Sequence, residues 1–305
     1  MLPVTYLIPV HGTPIYWREA LESLSTEKVD EILIIANGLD IIFAEKIREF
    51  LLDKPTFRYT ELKSSNLVTA LNFGLEISRN EYIARFDIDD VVIPGRTLTQ
   101  YEFLSTQKNL VALGGQVRRF TNNRETFSES KYPITARDVR KCLEKYSCLA
   151  HPSVMYKKNY VLEVGAYRDY FRHAEDYDLW TRLLEVGEIN NLAAPLIYYR
   201  EHISQVSQIY RCEQDFATLA VRHCAKKRAR RGIDLPLTEE ELAHLRSTIK
   251  RYKFSSHYAL RRNERKYLYF ILSSLFSPKE FSVVLGRRLK SSVIKLKTLL
   301  ICNKS

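Results

Sequence analysis

The chain has 305 residues, of which 45% are hydrophobic, and a formal net charge of +11. This length and apolar content can fill a large core, so composition excludes a disordered chain. The five cysteines form no Cys-x-x-Cys pair, which argues against a disulfide framework or zinc site. Pro3, His11 and later charges interrupt every apolar run, so we expect a cytoplasmic protein without a signal peptide or membrane span.

Apolar runs alternate with amphipathic segments along the first 86 residues. The pattern predicts strands at 4–10, 31–36 and 82–86, and helices at 15–24, 41–52 and 67–78. This βαβ alternation is typical of an α/β fold with a mostly parallel sheet between helices. Sheets of this kind bind their ligands, often nucleotides, beyond the carboxyl ends of the strands.

Three acids, Asp87, Asp89 and Asp90, follow the third predicted strand. Carboxylates this close together repel one another unless a cation joins them. A hard divalent ion such as Mg²⁺ or Mn²⁺ takes oxygen ligands and is usually shared with a phosphate-bearing substrate. The alternative is a helix N-cap followed by a solvated acidic turn, in which Asp90 supports the turn.

A second acidic group begins an amphipathic helix and consists of Glu175, Asp176 and Asp178. Acids in the first turn of a helix are often only favourable partners of its dipole. The apolar segment 189–199 then leads to Arg200 and His202, which pair a fixed cation with an imidazole. Both acidic groups therefore need the rest of the chain for their interpretation.

Together these motifs resemble the inverting family 2 glycosyltransferases of the GT-A fold, particularly bacterial enzymes that extend lipopolysaccharide, lipooligosaccharide or capsule glycans. Any one motif is common, but their order over residues 3–210 is difficult to attribute to chance. In chain order the shared motifs are 6–11, 31–35, Asn37-Gly38, 70–75, 87–90, Pro94 with Arg96, 151–155, 174–180, and Arg200-x-His202 with Ser207.

The resemblance implies a nucleotide-diphosphate sugar donor held in a catalytic domain, and the change from acidic to basic composition predicts that this domain spans residues 1–221. Asp89 and His202 would bind the Mn²⁺ or Mg²⁺ ion that bridges the diphosphate. Asp87 would reach the ribose or assist the metal. The expected donor-binding residues are Pro9, Val10, Asn37, Arg85, Asp87, Arg200 and Ser207.

The same resemblance assigns the chemistry of the acceptor to the second acidic group. Asp176 would be the general base that removes the acceptor hydroxyl proton, so that attack inverts C1 of the sugar. Glu175 and His151 would bind the glycan or glycolipid acceptor. The roles of Glu175 and Asp176 stay interchangeable, because adjacent acids raise one another's pKa. Asp178 is expected to point elsewhere as a solvated or capping residue.

Two asparagines depart from the family pattern in the region that the resemblance assigns to nucleotide binding. The usual Asp-Asp-Gly-Ser appears as Ala36-Asn37-Gly38-Leu39, so an amide replaces the carboxylate that would accept the uracil N3–H. An amide oxygen can also accept that bond, and a UDP-sugar stays the expected donor. Asn66 stands where relatives often have Gly, which predicts a left-handed backbone there.

The positive charge is concentrated in a predicted helical region at 222–305, with 21 Lys and Arg against 6 Asp and Glu. Apolar residues spaced by three or four along 281–301 predict a basic amphipathic helix. This helix would either pack on the catalytic domain or hold the enzyme peripherally on the anionic cytoplasmic face of the inner membrane. No nucleic-acid partner is expected, because no nucleic-acid motif accompanies the charge.

A second functional hypothesis is a catalytically decayed GT-A scaffold that binds nucleotide or membrane without transferring sugar. The altered turn at Asn37 and the basic region 222–305 motivate it. The two hypotheses differ in one observable, since the scaffold would bind nucleotide but release no sugar. A sugar nucleotidyltransferase is disfavoured, because 11–14 is not a glycine-rich basic phosphate loop.

Overall fold

The computed structural model describes residues 1–63, 66–121, 123–202, 211–232, 237–245 and 247. Its strands are β1 (Leu2–His11), β2 (Val29–Asn37), β3 (Phe57–Leu62), β4 (Tyr82–Arg85), β5 (Val91–Val92), β6 (Leu110–Phe120), β7 (Ser128–Glu129), β8 (Met155–Lys157) and β9 (Glu188–Arg200). Its helices are α1 (Trp17–Leu24), α2 (Ile41–Leu51), α3 (Leu67–Ile77), α4 (Arg96–Thr106), α5 (Ala136–Leu143), α6 (Lys158–Glu163), α7 (Glu175–Leu183) and α8 (Arg211–Arg231). The predicted α/β class is confirmed, as are the three strands and three helices expected before residue 87.

One sheet joins these strands in the order β3-β2-β1-β4-β8-β6-β9-β5, with β7 paired to β6. The pairs among β3, β2, β1 and β4 are all parallel, as the βαβ alternation predicted. Beyond β4 the sheet is mixed, because β8 pairs antiparallel with both β4 and β6. The strand order reverses between β1 and β4, which is where open α/β sheets place their ligands.

A proline near the end of β1 shows where this crevice opens. The Leu7 carbonyl accepts a hydrogen bond from Phe86 N at 3.2 Å, and the ladder with β4 ends at Leu7. Pro9 lies two residues after Leu7, so its backbone faces the same side of β1 as that of Leu7. At the level of Pro9, however, β4 has already ended. The missing N–H of Pro9 therefore removes no bond to β4. β1 continues to His11 beside the acidic residues that follow β4.

The sequence did not predict β3, which lies at the edge of the sheet. Its sequence does not alternate strictly between apolar and polar residues, because Thr60 and Glu61 are adjacent, and none of its residues is fully buried. Arg58 within it donates to the buried carboxylate of Glu31 on β2 at 2.9 Å. An edge strand carries charged side chains whose partners lie on a neighbouring strand. Its hydrophobic pattern is therefore too weak to predict the strand from the sequence.

The helix α8 runs across position 221, where the change in charge had suggested a domain boundary. Val221, Cys224 and Arg228 on this helix are buried. Arg228 donates to Thr181 Oγ1 at 2.9 Å, and so ties α8 to α7. The described residues up to 232 belong to one compact unit, and those from 237 belong to a second. Charge composition and packing thus change at different positions.

The predicted amphipathic segment 281–301 lies outside the described residues. Within the residues that the structure does describe, no helix is both long enough and apolar enough to cross a bilayer.

Candidate active site

The acidic turn Asp87-Ile88-Asp89-Asp90 joins β4 to β5 at the mouth of the crevice. The backbone N–H of Asp90 donates to the Asp87 carbonyl at 3.3 Å, which closes the turn. One carboxylate oxygen from each of the three aspartates lies within 4.8 Å of the other two. The three acids therefore face one another instead of separating into solvent.

This convergence is electrostatically unfavourable without a cation. Burial raises the pKa of Asp90 well above its ordinary value, and the charges of Asp89 and Asp87 raise it further. Burial and the Asp87 charge also raise the pKa of Asp89. Among the described residues, no group hydrogen-bonds the buried Oδ2 of Asp90. A carboxylate-rich site with an unsatisfied oxygen fits a hard divalent cation such as Mn²⁺ or Mg²⁺.

Arg200 and His202, at the end of β9, reach this turn from more than 100 residues away. His202 Nε2 lies 2.8 Å from Asp89 Oδ2. Arg200 donates from its backbone N–H to Asp90 Oδ1 at 2.9 Å, and from Nε to the Asp89 carbonyl at 2.9 Å. Both residues thus support the acidic turn, while Ser207 lies outside the described residues.

Arg85 lies between the two acidic groups of the chain. Its guanidinium is buried and forms an ion pair with Asp87. Burial raises the pKa values of Glu175 and Asp176, and the positive charge of Arg85 partly opposes this, which connects Arg85 electrostatically to the start of α7. Within the described part of the chain, the Nε atom of Arg85 is buried without a hydrogen-bond partner. Arg85 therefore contributes internal positive charge to the site.

Glu175 and Asp176 occupy the first turn of α7. Glu175 is buried, and burial together with the Asp176 charge raises its pKa to about 7. Asp176 is half-buried, and its Oδ1 accepts the Tyr177 N–H at 2.7 Å. Burial raises the pKa of Asp176 to about 6 despite that hydrogen bond. Carboxylates with pKa values this close to neutrality are suited to proton transfer.

Asp178 contradicts the expectation of a solvated or capping residue. Its side chain is 0% exposed and accepts hydrogen bonds from Arg168 Nε at 2.8 Å and Arg182 Nη2 at 2.8 Å. Arg182 lies one helical turn away, whereas Arg168 comes from the segment before α7. The contact with Arg168 is a tertiary contact, which the helical spacing alone did not indicate. Asp178 is a fully paired structural acid.

His151 lies in a buried aromatic cluster. Its Nε2 is 2.8 Å from the hydroxyl of Tyr167, and its ring packs edge-on against Trp180. Burial and the charge of Arg85 lower the pKa of His151 well below its ordinary value, so the imidazole is neutral. Asn72 fixes the Tyr167 backbone by accepting its N–H at 3.0 Å and donating to its carbonyl at 2.9 Å. The predicted acceptor contact of His151 stays a prediction.

Asn37 lies at the carboxyl end of β2 and is paired with His11 of β1, whereas Pro9 and Val10 pair with the two preceding residues of β2. Its amide Nδ2 donates to the Asn66 carbonyl at 2.9 Å, which fixes the orientation of the side chain. His11 Nδ1 lies 2.6 Å from the Asn37 carbonyl. The remaining amide oxygen, Oδ1, is buried and has no hydrogen-bond partner in the described regions. This end of the sheet therefore presents a fixed acceptor atom.

The expected left-handed backbone at Asn66 is wrong. Asn66 has a φ of −101° and is the N-cap of α3. Its side-chain oxygen accepts the N–H groups of Val68 at 2.7 Å and Thr69 at 3.2 Å. Asparagine is favoured at this position because it satisfies helix donors that have no internal partner.

A family model described as "Glycosyl transferase family 2" matches residues 5–165, which is more than half of the chain. This span runs from β1 through the acidic turn to the end of α6. The chain belongs to glycosyl transferase family 2. The resemblance drawn from the sequence motifs is therefore confirmed, and the protein is a glycosyltransferase.

One relative is the O-antigen biosynthesis glycosyltransferase WbnJ of Escherichia coli. It is 32% identical over 232 residues, which cover 74% of this chain and 90% of the relative. The aligned length exceeds the span of the family model, so the similarity extends beyond residues 5–165.

Solved glycosyltransferase structures share the architecture at low sequence identity. Staphylococcus aureus TarS 1–349 in complex with UDP-GlcNAc has a TM-score of 0.61 at 12% identity, with 89% of this chain and 80% of that chain covered. The mannosyltransferase PcManGT from Pyrobaculum calidifontis, in complex with GDP-Man and Mn²⁺, has a TM-score of 0.56 at 14% identity. That match covers 95% of this chain and 80% of the other. These similarities confirm the GT-A fold.

Several residues of the candidate site were not singled out from the sequence. Tyr167 hydrogen-bonds His151, and Glu19 on α1 forms an ion pair with the Arg200 guanidinium. Asn72 belongs to a motif that matched the family, and its two bonds to Tyr167 now explain that position. No local pattern distinguishes Glu19 or Tyr167 from ordinary helix and loop residues, because their partners are distant in sequence.

Proposed function

We propose that this family 2 glycosyltransferase transfers a hexosyl or N-acetylhexosaminyl group from a UDP-sugar to a hydroxyl of a bacterial surface glycan or glycolipid. The reaction is metal-dependent and inverts the configuration at C1. The observation that carries the proposal is the convergence of Asp87, Asp89 and Asp90 at the end of β4. O-antigen biosynthesis, in the name of WbnJ, supports the class of acceptor.

The residues around Asp89 fit a divalent metal ion. Asp89, Asp87 and Asp90 supply carboxylate oxygens, and His202 lies against Asp89. These residues would hold Mn²⁺ or Mg²⁺, and the Mn²⁺ complex of PcManGT supports this assignment. When bound, the ion neutralises the negative charge of the donor diphosphate and of the departing nucleotide.

The donor base would lie at the end of β1 and β2. Asn37 Oδ1 is a buried acceptor that suits a base presenting an N–H group, such as N3–H of uracil. Pro9 and Val10 would pack beside the base. UDP-GlcNAc in the TarS complex supports a uridine donor, although GDP-Man in PcManGT shows that this fold also takes guanine. Arg85, Asp87, Arg200 and Ser207 complete the proposed donor contacts.

Asp176 is assigned as the general base. The acceptor hydroxyl oxygen forms a bond to C1 from the face opposite the nucleotide, and its proton passes to Asp176. The C1–O bond to the diphosphate breaks, and the electron pair leaves with the nucleotide. The raised pKa of Asp176, about 6, leaves the carboxylate ionised at neutral pH and able to accept a proton. Glu175 and His151 are assigned to acceptor binding.

The test compares binding with turnover. Wild-type protein is screened by thermal shift against UDP-, GDP- and other nucleotide-sugars with Mn²⁺, because a ligand of the native state raises the melting temperature. Release of nucleoside diphosphate is then followed with an acceptor glycan, with and without chelator. We expect a UDP-sugar to stabilise the protein and chelator to stop release. Binding without any release, across the donor and acceptor panel, would instead support the decayed-scaffold hypothesis.

The basic region 222–305 is proposed to bring the cytoplasmic enzyme to the anionic face of the inner membrane. Each Lys or Arg near an anionic surface contributes about 1 kcal/mol, and salt screens this attraction within about 8 Å. Sedimentation with phosphatidylglycerol-rich liposomes should fall with rising NaCl. It should be lost when five basic residues become Gln, namely Arg287, Arg288, Lys290, Lys295 and Lys297.

The alternative is that segment 281–301 packs on protein. In that case Leu289→Asp should unfold the protein while the five Gln substitutions have little effect. Absence of liposome binding at low salt would exclude the membrane proposal.

A further inference from the structure

A cavity of about 610 Å³ lies next to Arg200, which also contacts the acidic turn. Residues from α1, from the segment between β6 and β7, and from β9 line it. They include Glu19, Arg124, Glu125, Phe127, Tyr198 and Arg200. Its volume is typical of a small-molecule site. Of its lining residues, only Arg200 also belongs to the donor contacts proposed above.

The charges that line the cavity balance one another. Glu19 Oε1 lies 3.4 Å from Arg124 Nη2, and the other Glu19 oxygen pairs with the Arg200 guanidinium. Glu125 adds a second carboxylate. A site for phosphate or another anion needs a surplus of donors and positive charge, as in arginine clusters. The balanced lining instead suits a neutral ligand that both donates and accepts hydrogen bonds.

The cavity also presents aromatic surface. Phe127 is 42% exposed, and its ring packs edge-on against Tyr198 with centroids 6.4 Å apart. Arg118 lies 4.6 Å from the centre of the Phe127 ring and donates to the Tyr198 hydroxyl at 3.3 Å. These contacts fix the rings before any ligand binds. Fixed aromatic surface beside charged hydrogen-bonding groups matches a sugar ring, which has an apolar C–H face and a rim of hydroxyls.

Arg200 joins this cavity directly to the acidic turn. The same side chain that pairs with Glu19 donates to the Asp89 carbonyl at 2.9 Å. A ligand in the cavity therefore lies one side chain away from the proposed metal site. The loop residues Arg124, Glu125 and Phe127 belong to a connecting segment, and such segments commonly determine specificity on a fixed scaffold.

We infer that this cavity is a subsite for a neutral sugar residue of the acceptor glycan. The inference rests on the proposed function and deepens it, because it places one part of the acceptor. Phe127 would contact the C–H face of the sugar, while Glu125 and Arg124 would bind its hydroxyl groups.

The test measures sugar binding without catalysis. Saturation-transfer NMR is recorded on the full chain with methyl glycosides of glucose, galactose, mannose and N-acetylglucosamine. We expect transfer to at least one glycoside, about tenfold weaker binding in Phe127→Ala and in Glu125→Gln, and retention in Phe127→Trp. The matched control is Phe103→Ala, which removes a similarly exposed ring (37%) on α4, outside the cavity. Its binding should equal that of the wild type.

Two results would overturn the inference: no saturation transfer to any of the four glycosides, or equal loss of binding in Phe127→Ala and Phe103→Ala.

A second measurement separates the subsite from the proposed function. The thermal shift caused by a UDP-sugar with Mn²⁺ is measured on the same proteins, and the Phe127 variants should keep it. Intact donor binding without glycoside binding refutes the subsite alone. Absence of nucleotide-sugar binding and turnover in the wild type refutes the proposed function alone, because the NMR signal does not depend on donor. Equal melting temperatures of the variants confirm that their fold is retained.

Discussion

Two acidic groups with similar sequence spacing have different structures. In the turn after β4, Asp87, Asp89 and Asp90 all converge on one point. At the start of α7, Glu175 and Asp176 are buried or half-buried with raised pKa values, but Asp178 is paired with Arg168 and Arg182. The comparison shows that an acid in a motif is a candidate for chemistry when burial or neighbouring acids leave its charge incompletely compensated, and structural when two arginines pair with it.

Backbone geometry explains part of this difference. A tight turn directs several successive side chains toward one point, whereas a helix rotates each successive residue by about 100°. Neighbouring acids on α7 therefore leave in different directions and meet different partners. The buried Arg85 connects the two acidic groups, because it pairs with Asp87 and its positive charge opposes the burial that raises the pKa values of Glu175 and Asp176.

Removing an acid of the turn should have the largest effect. We expect Asp89→Ala to abolish Mn²⁺-dependent binding of UDP, since the diphosphate charge would lose the ion that neutralises it. Isothermal titration with and without Mn²⁺ measures this. Asp53→Ala, at an exposed position on the surface, is the matched control and should bind like the wild type. Unchanged UDP affinity in Asp89→Ala would contradict the metal assignment.

Removing the proposed base should affect turnover and leave donor binding intact. We expect Asp176→Asn to lower kcat by roughly 10²–10⁴-fold, the range for loss of a general base. Because a base must be ionised, wild-type kcat should fall as pH decreases through about 6, the raised pKa of Asp176. The residual activity of Asp176→Asn should lack this step. Near-normal kcat in the variant would assign the base to another residue.

Substitution of Asp178, the paired acid of α7, should change the stability of the protein. Asp178→Asn leaves two arginines without their shared carboxylate, so the free energy of unfolding should fall by about 3–5 kcal/mol. Urea denaturation measures this change, and Asp53→Asn is the surface control. Under conditions where Asp178→Asn is folded, it should retain Mn²⁺-dependent UDP binding. A loss of stability no larger than the control's would remove the contrast between Asp178 and its neighbours.

The smallest effect is expected for a substitution at Glu175, which should increase the stability of the protein instead of lowering it. Its pKa is raised to about 7 in the folded protein, so the stability that the neutral acid provides is present at low pH and lost as pH rises through about 7. Glu175→Gln stays neutral and should stabilise the protein at pH 8 by on the order of 1 kcal/mol. At pH 4 the gain should vanish. Chemical denaturation at both pH values tests this, and a gain independent of pH would indicate packing instead of ionisation.

Much of the fold and of the candidate site could be predicted from the sequence. The alternation of apolar and amphipathic segments determined β1, β2, β4 and the helices between them, because these patterns are local and repeat with fixed periods. The acidic turn and the paired acids were visible as residue types at recognisable positions. Their order along the chain also identified the family, which the family model confirmed.

The tertiary structure decided which partners these polar residues meet. Asp178 meets Arg168, Asp90 meets the backbone of Arg200, and Asn37 meets the carbonyl of Asn66. The tertiary structure also determined that residues 57–62 form the edge strand β3, and it brought Glu19, Phe127 and Arg200 together around one cavity. Burial, pKa and hydrogen-bond satisfaction depend on groups that can be 100 residues apart in sequence, and only the packed chain brings those groups into contact.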